Sequence, residues 1–138
     1  NFDDNDVIVV WKLKEKFNTG DVVFVYVTKE RTNFREDDYF LKRVIGTPGD
    51  EVSFQNNVLY INGIVVEEPY IDISTEDFTF DEICFIKNTM CSGFIPDDYY
   101  FVLGDNRNNS VDSRSIGPIH KDDLFGKVIF DVMRFKIW

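Results

Sequence analysis

The 138-residue sequence is poor in metal-binding side chains and in long apolar runs. One histidine and two cysteines are too few soft ligands for a structural zinc site, and the cysteines lack CxxC spacing. We therefore predict no metal site and expect no cofactor. No apolar run approaches the roughly 18 residues of a membrane-spanning helix, so no span is predicted within residues 1–138. No signal peptide is recognisable either.

The two cysteines, Cys84 and Cys91, leave two interpretations open. A short disulfide loop joins them if the domain lies outside the cytoplasm, where disulfides persist. The alternative is a pair of unlinked thiols, one buried and one in a loop. The sequence does not decide between the two.

Positive charge is also scarce, because 15 Lys and Arg residues stand against 25 Asp and Glu residues, for a net charge of −10. This balance argues against nucleic-acid binding, which needs a basic surface, and against docking on anionic lipid through a basic patch. Aromatic residues make up 16% of the chain and include 14 Phe, which favours β-structure and a packed core. The length predicts one domain.

Apolar runs between turn residues predict an almost entirely β structure. Asn62-Gly63 between two such runs is the strongest short hairpin signal. Helix signals are weak: Ser74–Asp77 resembles a capping box but precedes period-two spacing, and His120–Phe125 suits one helical turn. The predicted strands are Val7–Trp11, Val22–Val27, Tyr39–Ile45, Glu51–Phe54, Val58–Ile61, Ile64–Val66, Tyr99–Leu103 and Lys127–Phe135.

These strands predict an all-β fold, with an antiparallel folded-sheet or barrel-like core and a small β-rich inserted lobe. We assign residues 1–65 and 97–138 to the core. Residues 66–96 form the predicted lobe, because turn signals are sparse there and acidic residues cluster. The first strand begins almost at once, so a segment upstream of Asn1 is expected.

Lys42 lies inside the apolar strand Tyr39–Ile45, in the stretch DYFLKRVIGTPGD. On a strand it shares a face with Phe40 and Val44. Lysine is ordinarily a solvated charge, but an ammonium on an apolar face is desolvated, so its pKa should fall. A neutral amine near pH 7 is a competent general base for a serine hydroxyl.

A second polar cluster, GDNRNNSVDSR, runs from Gly104 to Arg114 between turn formers. Ser110 within it has three interpretations: a turn residue, a nucleophile, or a hydroxyl that orients Lys42. The nucleophile is the weakest, because the Gly-x-Ser-x-Gly elbow is missing. The only histidine, His120, lies outside this cluster, and we favour a surface turn there over a role in a Ser-His-Asp triad.

The two segments together resemble the type I signal peptidases, membrane-anchored serine proteases that use a Ser/Lys dyad. LKRVIGTPGD and GDNRNNSVDSR carry the most specific part of the resemblance, which covers most of the chain except the region near residues 66–96. Four stretches look like family segments in the right order: Asp21–Val25, Tyr39–Asp50, Gly104–Gly117 and Gly126–Phe135.

The resemblance implies an all-β fold with a catalytic core and a variable lobe. It implies that Lys42 is the general base and that Ser110 holds the lysine amine in place. Four further residues are implied to be structural, as two ion pairs that shape the active-site loop: Arg43 with Asp105, and Asp112 with Arg114.

A substrate strand is then expected beside the strand that contains Lys42, with shallow pockets lined partly by Phe40 and Leu41. The implied partners are secreted preproteins, pilins among them, and no nucleic acid. The resemblance also implies a location at the cell membrane, through an N-terminal helix outside this sequence, with the catalytic domain on the extracytoplasmic side.

The family's serine-bearing stretch, Ser-Met-x-Pro-Thr-Leu, does not occur in this sequence. In the family it precedes a Gly-Asp that leads into a strand. Here Asn5-Asp6 takes the Gly-Asp place and Phe2 that of the leucine. The nucleophilic serine is therefore expected before Asn1, and the sequence leaves open whether it is present or replaced.

Three functions compete on this basis. The leading one is an endopeptidase that removes signal peptides after small residues. The second is a catalytically inactive relative that acts as a chaperone in pilus assembly; an upstream serine favours the protease, and Asp or Gly there favours binding. The third is a self-cleaving repressor domain of the SOS type, disfavoured because GDNRNNSVDSR is foreign to that family.

Overall fold

The fold was examined in a computed structural model that describes residues 8–11, 16–31, 36–71, 76–80 and 93–131. These ranges contain the short α-helix α1 (Ser113–Ile116) and the 3₁₀ helices Lys29–Arg31 and Lys121–Asp123. They also contain the strands β1 (Ile8–Trp11), β2 (Val22–Val27), β3 (Asp38–Gly46), β4 (Val52–Gln55), β5 (Val58–Ile61), β6 (Ile64–Val66), β7 (Phe78–Thr79), β8 (Tyr99–Leu103), β9 (Ile119–His120) and β10 (Leu124–Asp131).

The strands form two sheets, and every pairing between described strands is antiparallel. The larger sheet has the order β1-β10-β2-β3-β8-β9, and the smaller has the order β6-β5-β4-β7. The predicted all-β, antiparallel fold class is therefore confirmed. The division into a core and a lobe at residues 66–96 stays a prediction.

Strand β8 is apolar at every position because its two faces contact two different apolar clusters. Tyr100 and Val102 belong to the first cluster, and Phe101 and Leu103 belong to the second. The first cluster contains Phe17, Val23, Val25, Val27, Val44, Tyr100, Val102, Ile116, Ile119 and Leu124. The second contains Ile45, Val52, Phe54, Leu59, Phe80, Ile95, Phe101 and Leu103. Both faces of β8 are thus removed from water, which holds its end firmly in place.

Two asparagine turns connect the strands of the smaller sheet. Asn62 and Gly63 have φ angles of 53° and 76°, so both adopt the left-handed conformation of a tight hairpin turn. Asn56 and Asn57, at 50° and 64°, form an equivalent turn between β4 and β5. The hairpin predicted from Asn62-Gly63 is confirmed.

The structure differs locally from the predictions. Strands β3 and β4 cover Asp38–Gly46 and Val52–Gln55 instead of Tyr39–Ile45 and Glu51–Phe54, and the short strands β7 and β9 were not predicted. The last strand begins at Leu124 instead of Lys127, because Leu124 already pairs with Val25 of β2. The turn predicted over His120–Phe125 is shorter, a 3₁₀ helix over Lys121–Asp123. Helix α1 was not predicted at all.

Some predictions fall outside the described residues. They include Cys84 and Cys91, the start of the Ser74–Asp77 capping box, and the Asn5-Asp6 position. In the parts of the chain that the structure describes, no helix has the length and apolar character needed to cross a membrane.

Candidate active site

Lys42 lies in the middle of β3, on the face that packs against the first cluster. Its neighbours on that face are Val44, which belongs to the cluster, and Phe40, which packs against it. The Lys42 Nζ atom lies 5.5 Å from the centre of the Phe40 ring. It hydrogen-bonds to Ser110 Oγ at 2.8 Å. The structure therefore brings together the two residues that the sequence singled out, 68 positions apart.

The pKa of Lys42 is lowered from its ordinary value, and burial away from water is the largest cause. Asp112 raises this pKa, Arg114 lowers it, and Asp105 raises it, in decreasing order of effect. Desolvation outweighs the two carboxylates because each of them is paired with an arginine. Burial thus shifts the Lys42 pKa in the direction expected from the sequence.

Gly104 packs closely against Ser110 at the point where Ser110 contacts Lys42. A Cβ atom at this position would lie 2.0 Å from Ser110 Oγ and 3.4 Å from Lys42 Nζ. Only glycine leaves the space that Ser110 occupies. The end of β8 therefore fixes how closely the serine can approach the lysine.

The predicted ion pair between Arg43 and Asp105 is present and bidentate. Arg43 Nε donates to Asp105 Oδ1 at 2.9 Å, and a terminal nitrogen donates to Oδ2 at 2.7 Å. The other terminal nitrogen donates to the Gly20 carbonyl at 3.0 Å, which ties the pair to the start of β2. The Arg43 guanidinium also lies 3.7 Å from the centre of the Tyr70 ring. This pair joins β3 to the loop after β8.

The predicted pair between Asp112 and Arg114 is also present, and Asp112 is almost completely buried. The Asp112 carboxylate accepts bonds from Arg114 Nε at 3.0 Å, from a terminal nitrogen of Arg114 at 2.8 Å, and from the Gly104 N–H at 3.0 Å. It also caps α1 by accepting from the Arg114 N–H. One carboxylate thus connects the two ends of the loop.

The sequence interpretation missed two residues of the network, Glu68 and Tyr70, and assigned no partner to Arg107. Arg107 is buried and pairs with Glu68 across 39 positions. A buried arginine requires an anionic partner, but the sequence offers 25 carboxylates, and nothing local selects Glu68. Only the packed fold identifies the pair.

His120 lies on the short edge strand β9, where the sequence predicted a surface turn. Its ring contacts that of Tyr99, with centroids 5.1 Å apart, and its Nδ1 accepts a bond from the Asp122 N–H. His120 therefore caps the following 3₁₀ helix. Among the described residues, no set of three or more His, Cys, Asp or Glu side chains is arranged to hold a metal ion.

Phe40 and Leu41, which were predicted to line shallow substrate pockets in part, lie on opposite faces of β3. Phe40 packs against the first cluster on the side of Lys42. Leu41 pairs with Phe24 in the ladder, and successive side chains of a strand alternate between faces. The two side chains therefore lie on opposite sides of the strand, and their part in lining substrate pockets stays a prediction.

Comparison with known proteins reveals extensive similarity. A family model described as "Signal peptidase, peptidase S26" matches residues 1–133. Signal peptidase IB of Staphylococcus aureus (strain Mu50 / ATCC 700699) is 41% identical over 118 residues, which cover 80% of this chain and 58% of that protein. Signal peptidase I S of Bacillus subtilis (strain 168) is 37% identical over 112 residues, covering 80% and 56%. The chain thus spans a little over half the length of these curated relatives.

A solved structure is similar as well. The crystal structure of a signal peptidase I from Enterococcus faecalis V583 matches with a TM-score of 0.67 and 32% sequence identity. The match covers 82% of this chain and 97% of that one. The two folds therefore agree over most of both chains.

Replacing Asp112 with alanine is expected to lower the free energy of unfolding by about 3 kcal/mol, because it leaves the partly buried guanidinium of Arg114 and the Gly104 N–H without their acceptor. Denaturant unfolding of the purified domain measures this loss. The matched control is Lys121→Ala, which breaks the exposed pair with Asp98 and should cost no more than about 1 kcal/mol. Equal unfolding midpoints for the two variants would show that the Asp112 network does not stabilise the loop.

Proposed function

The chain belongs to the signal peptidase family, peptidase S26, and on that premise we propose that it is a serine endopeptidase that removes signal peptides from secreted preproteins after small residues. The observation that carries this proposal is the 2.8 Å contact between Lys42 Nζ and Ser110 Oγ on an apolar face. A partly buried amine of lowered pKa suits the general base of a Ser/Lys dyad.

The nucleophile in this proposal is a serine that precedes Asn1 in the full-length protein. Lys42 Nζ takes the proton from that hydroxyl while its oxygen attacks the scissile carbonyl carbon. The carbon–nitrogen bond then breaks, Lys42 returns the proton to the leaving amine, and an acyl-enzyme remains. Water hydrolyses the ester in the same manner, again with Lys42 as the base. Donors for the oxyanion come from the segment that carries the serine.

Ser110 has a positioning role in this mechanism. Its hydroxyl holds Nζ at 2.8 Å, so the amine loses rotational freedom before the substrate binds. The pairs Arg43–Asp105 and Asp112–Arg114 hold the loop that carries Ser110. They also engage the two carboxylates that would otherwise favour the protonated lysine.

Strand β3 supports a substrate-binding mode in which an extended peptide adds a strand to the sheet. Strand β2 pairs with Asp38–Arg43, whereas β8 pairs with the stretch from Arg43 to Gly46, so the two ladders overlap only at Arg43. We place the substrate beside the first half of β3, on the side where the β8 ladder has ended. In this arrangement Phe40 forms a pocket wall next to Lys42, and Leu41 contributes through its main chain.

The proposed setting follows from the same family membership. We place the protein at the cell membrane, anchored by a segment before Asn1, with its catalytic domain on the extracytoplasmic side and preproteins as partners. The narrower prediction of pilin substrates, and the alternative of an inactive chaperone, depend on the sequence resemblance alone.

Replacing Lys42 with alanine in the full-length protein should reduce cleavage of a preprotein with alanine before the cut site to the background rate, because no base remains for the serine hydroxyl. The measurement is the initial rate of product formation on a gel. Lys121→Ala, which removes an exposed lysine, is the matched control and should cleave normally. Unchanged turnover by Lys42→Ala would exclude Lys42 as the base.

The pH profile of kcat/KM should rise with the loss of the Lys42 proton, and its acid limb should lie below the ordinary lysine range, because burial lowers the Lys42 pKa. Charge changes nearby should move that limb in opposite directions. Arg114→Gln removes a cation and should move it to higher pH, whereas Asp105→Asn removes an anion and should move it to lower pH. If neither substitution moves the acid limb, the limb reports the titration of a group other than Lys42.

Replacing Ser110 with alanine should lower turnover by roughly tenfold to a hundredfold without abolishing it, since the loss of one orienting hydrogen bond costs far less than the loss of a nucleophile. The same preprotein is used, with Lys42→Ala as the inactive reference. If Ser110→Ala is as inactive as that reference, and an acylating label maps to Ser110, then Ser110 itself is the nucleophile.

A further inference from the structure

Glu68 and Arg107 form the most completely buried ion pair among the described residues. This pair is not one of the two predicted pairs, and it lies beside the Lys42–Ser110 contact. The side chain of Arg107 is fully buried, and that of Glu68 is 8% exposed. Arg107 donates to both carboxylate oxygens of Glu68, to Oε1 at 3.1 Å and also to Oε2. The Tyr70 hydroxyl lies 3.2 Å from Glu68 Oε2 and donates a third bond. Glu68 and Tyr70 come just after β6, in the smaller sheet.

Arg107 connects the Glu68 ion pair to Gly104, which packs against Ser110. Its Nε donates to the Gly104 carbonyl at 3.0 Å. The other side of Gly104 is held by Asp112, which accepts from the Gly104 N–H. The main-chain carbonyl of Arg107 also accepts a bond from Arg114 at 2.8 Å. Both peptide groups of Gly104 are therefore fixed, and one of them is fixed through Glu68.

Gly104 in turn decides the distance between Ser110 and Lys42. The space of its missing Cβ is occupied by Ser110 Oγ and adjoins Lys42 Nζ. A displacement of Gly104 by a few tenths of an ångström therefore changes the Ser110 position directly. Four contacts connect Glu68 to Lys42: the ion pair with Arg107, the Arg107 bond to the Gly104 carbonyl, the close packing of Gly104 against Ser110, and the Ser110–Lys42 hydrogen bond.

A second connection runs from the same segment to the opposite side of the site. The ring of Tyr70 stacks under the Arg43 guanidinium at 3.7 Å, and Arg43 pairs with Asp105. Burial, followed by the Glu68 charge, raises the pKa of Tyr70 to about 12, so its hydroxyl stays a donor to Glu68. The segment therefore reaches the site through two arginines.

We propose that Glu68 is a positioning residue for the Lys42–Ser110 pair, acting through Arg107 and the main chain of Gly104. The inference rests on the proposed protease function. A buried ion pair is a poor source of stability, because apolar residues of similar volume replace such pairs at little or no cost. The orientation of the Gly104 carbonyl, by contrast, depends on a donor in a fixed place. The effect of the pair is therefore expected in the geometry of the site more than in stability.

Glu68→Gln in the full-length protein tests the proposal by its effect on kcat. With the preprotein above as substrate, kcat should fall between about tenfold and a hundredfold, while KM stays within about twofold of the wild type, because the substitution acts on the position of Lys42 and Ser110 and leaves the proposed substrate strand beside the first half of β3 unchanged. Glu68→Asp, which keeps the charge, should recover part of the loss. Lys121→Ala, which breaks an exposed ion pair elsewhere, should leave both constants unchanged.

The double variant Glu68→Leu/Arg107→Met separates positioning from folding. It removes the pair without leaving a buried charge, so its melting temperature should return to near that of the wild type. Its kcat should remain low, because the Gly104 carbonyl has lost its donor. A double variant that is stable and has wild-type kcat and KM would overturn the proposal.

A titration of the Lys42 side chain by NMR, with ¹³C-labelled lysine, gives a readout that needs no turnover. In Glu68→Gln the titration midpoint of Lys42 should move to higher pH, because a displaced Gly104 lets water reach the amine and reduces its desolvation. The charged groups that face Lys42 are Asp105, Asp112 and Arg114, and the variant leaves all three in place. An unchanged Lys42 titration in the variant contradicts the positioning role. Absence of cleavage by the wild type, with the shift present, contradicts only the protease function.

Discussion

The site depends on one constraint: Lys42 must lie in apolar surroundings with carboxylates nearby that do not pair with it. Asp105 and Asp112 both raise its pKa, and either could hold the proton on the amine by a direct contact. Each of them is engaged instead by an arginine, Asp105 by Arg43 and Asp112 by Arg114. Burial then decides the balance, and the amine contacts only a neutral hydroxyl and an aromatic ring among the partners described above. Arg43 and Arg114 therefore affect the electrostatic surroundings of Lys42 as well as the fold.

The covered sheet provides the rigidity that this arrangement requires. Strand β8 is buried on both faces, so its end at Leu103 has little freedom to shift when the loop beyond it is strained. Gly104 follows immediately and carries the contact between Ser110 and Lys42. If the loop began from a less constrained strand, it would need further contacts to hold Ser110 within hydrogen-bond distance of the Lys42 amine. The two apolar clusters hold β8, and the polar loop that follows β8 holds Ser110 next to Lys42.

The sequence predicts this molecule well where the signal is local. Strand periodicity located β2, β5, β6 and β8 with their bounds, and strand alternation placed Lys42 beside Phe40. The same alternation puts Phe40 and Leu41 on opposite faces of β3, and their part in lining substrate pockets stays a prediction. Contacts between distant segments carry no such local signal, and those of Lys42 with Ser110 and of Arg43 with Asp105 were expected through the family resemblance. Glu68 and Arg107 pair because two sheets pack together, and α1 forms because Asp112 and Ser115 cap it reciprocally, in a pattern that differs from the usual Ser-x-x-Glu box.

The network around Gly104 is expected to respond cooperatively to mutation, because its members share acceptors. The Asp112 carboxylate serves both Gly104 and Arg114, and Arg114 also donates to the Arg107 carbonyl. Removing one member therefore changes the geometry available to the others, and the free-energy effects of two substitutions in it cannot be added. A double-mutant cycle on Glu68 and Asp112 should yield a coupling energy of at least about 0.5 kcal/mol in transition-state stabilisation, although the two side chains do not contact each other. Purely additive effects would mean that the Asp112 bond or the Arg107 bond alone holds Gly104 equally well. We do not expect this, because the two bonds hold opposite sides of the same residue.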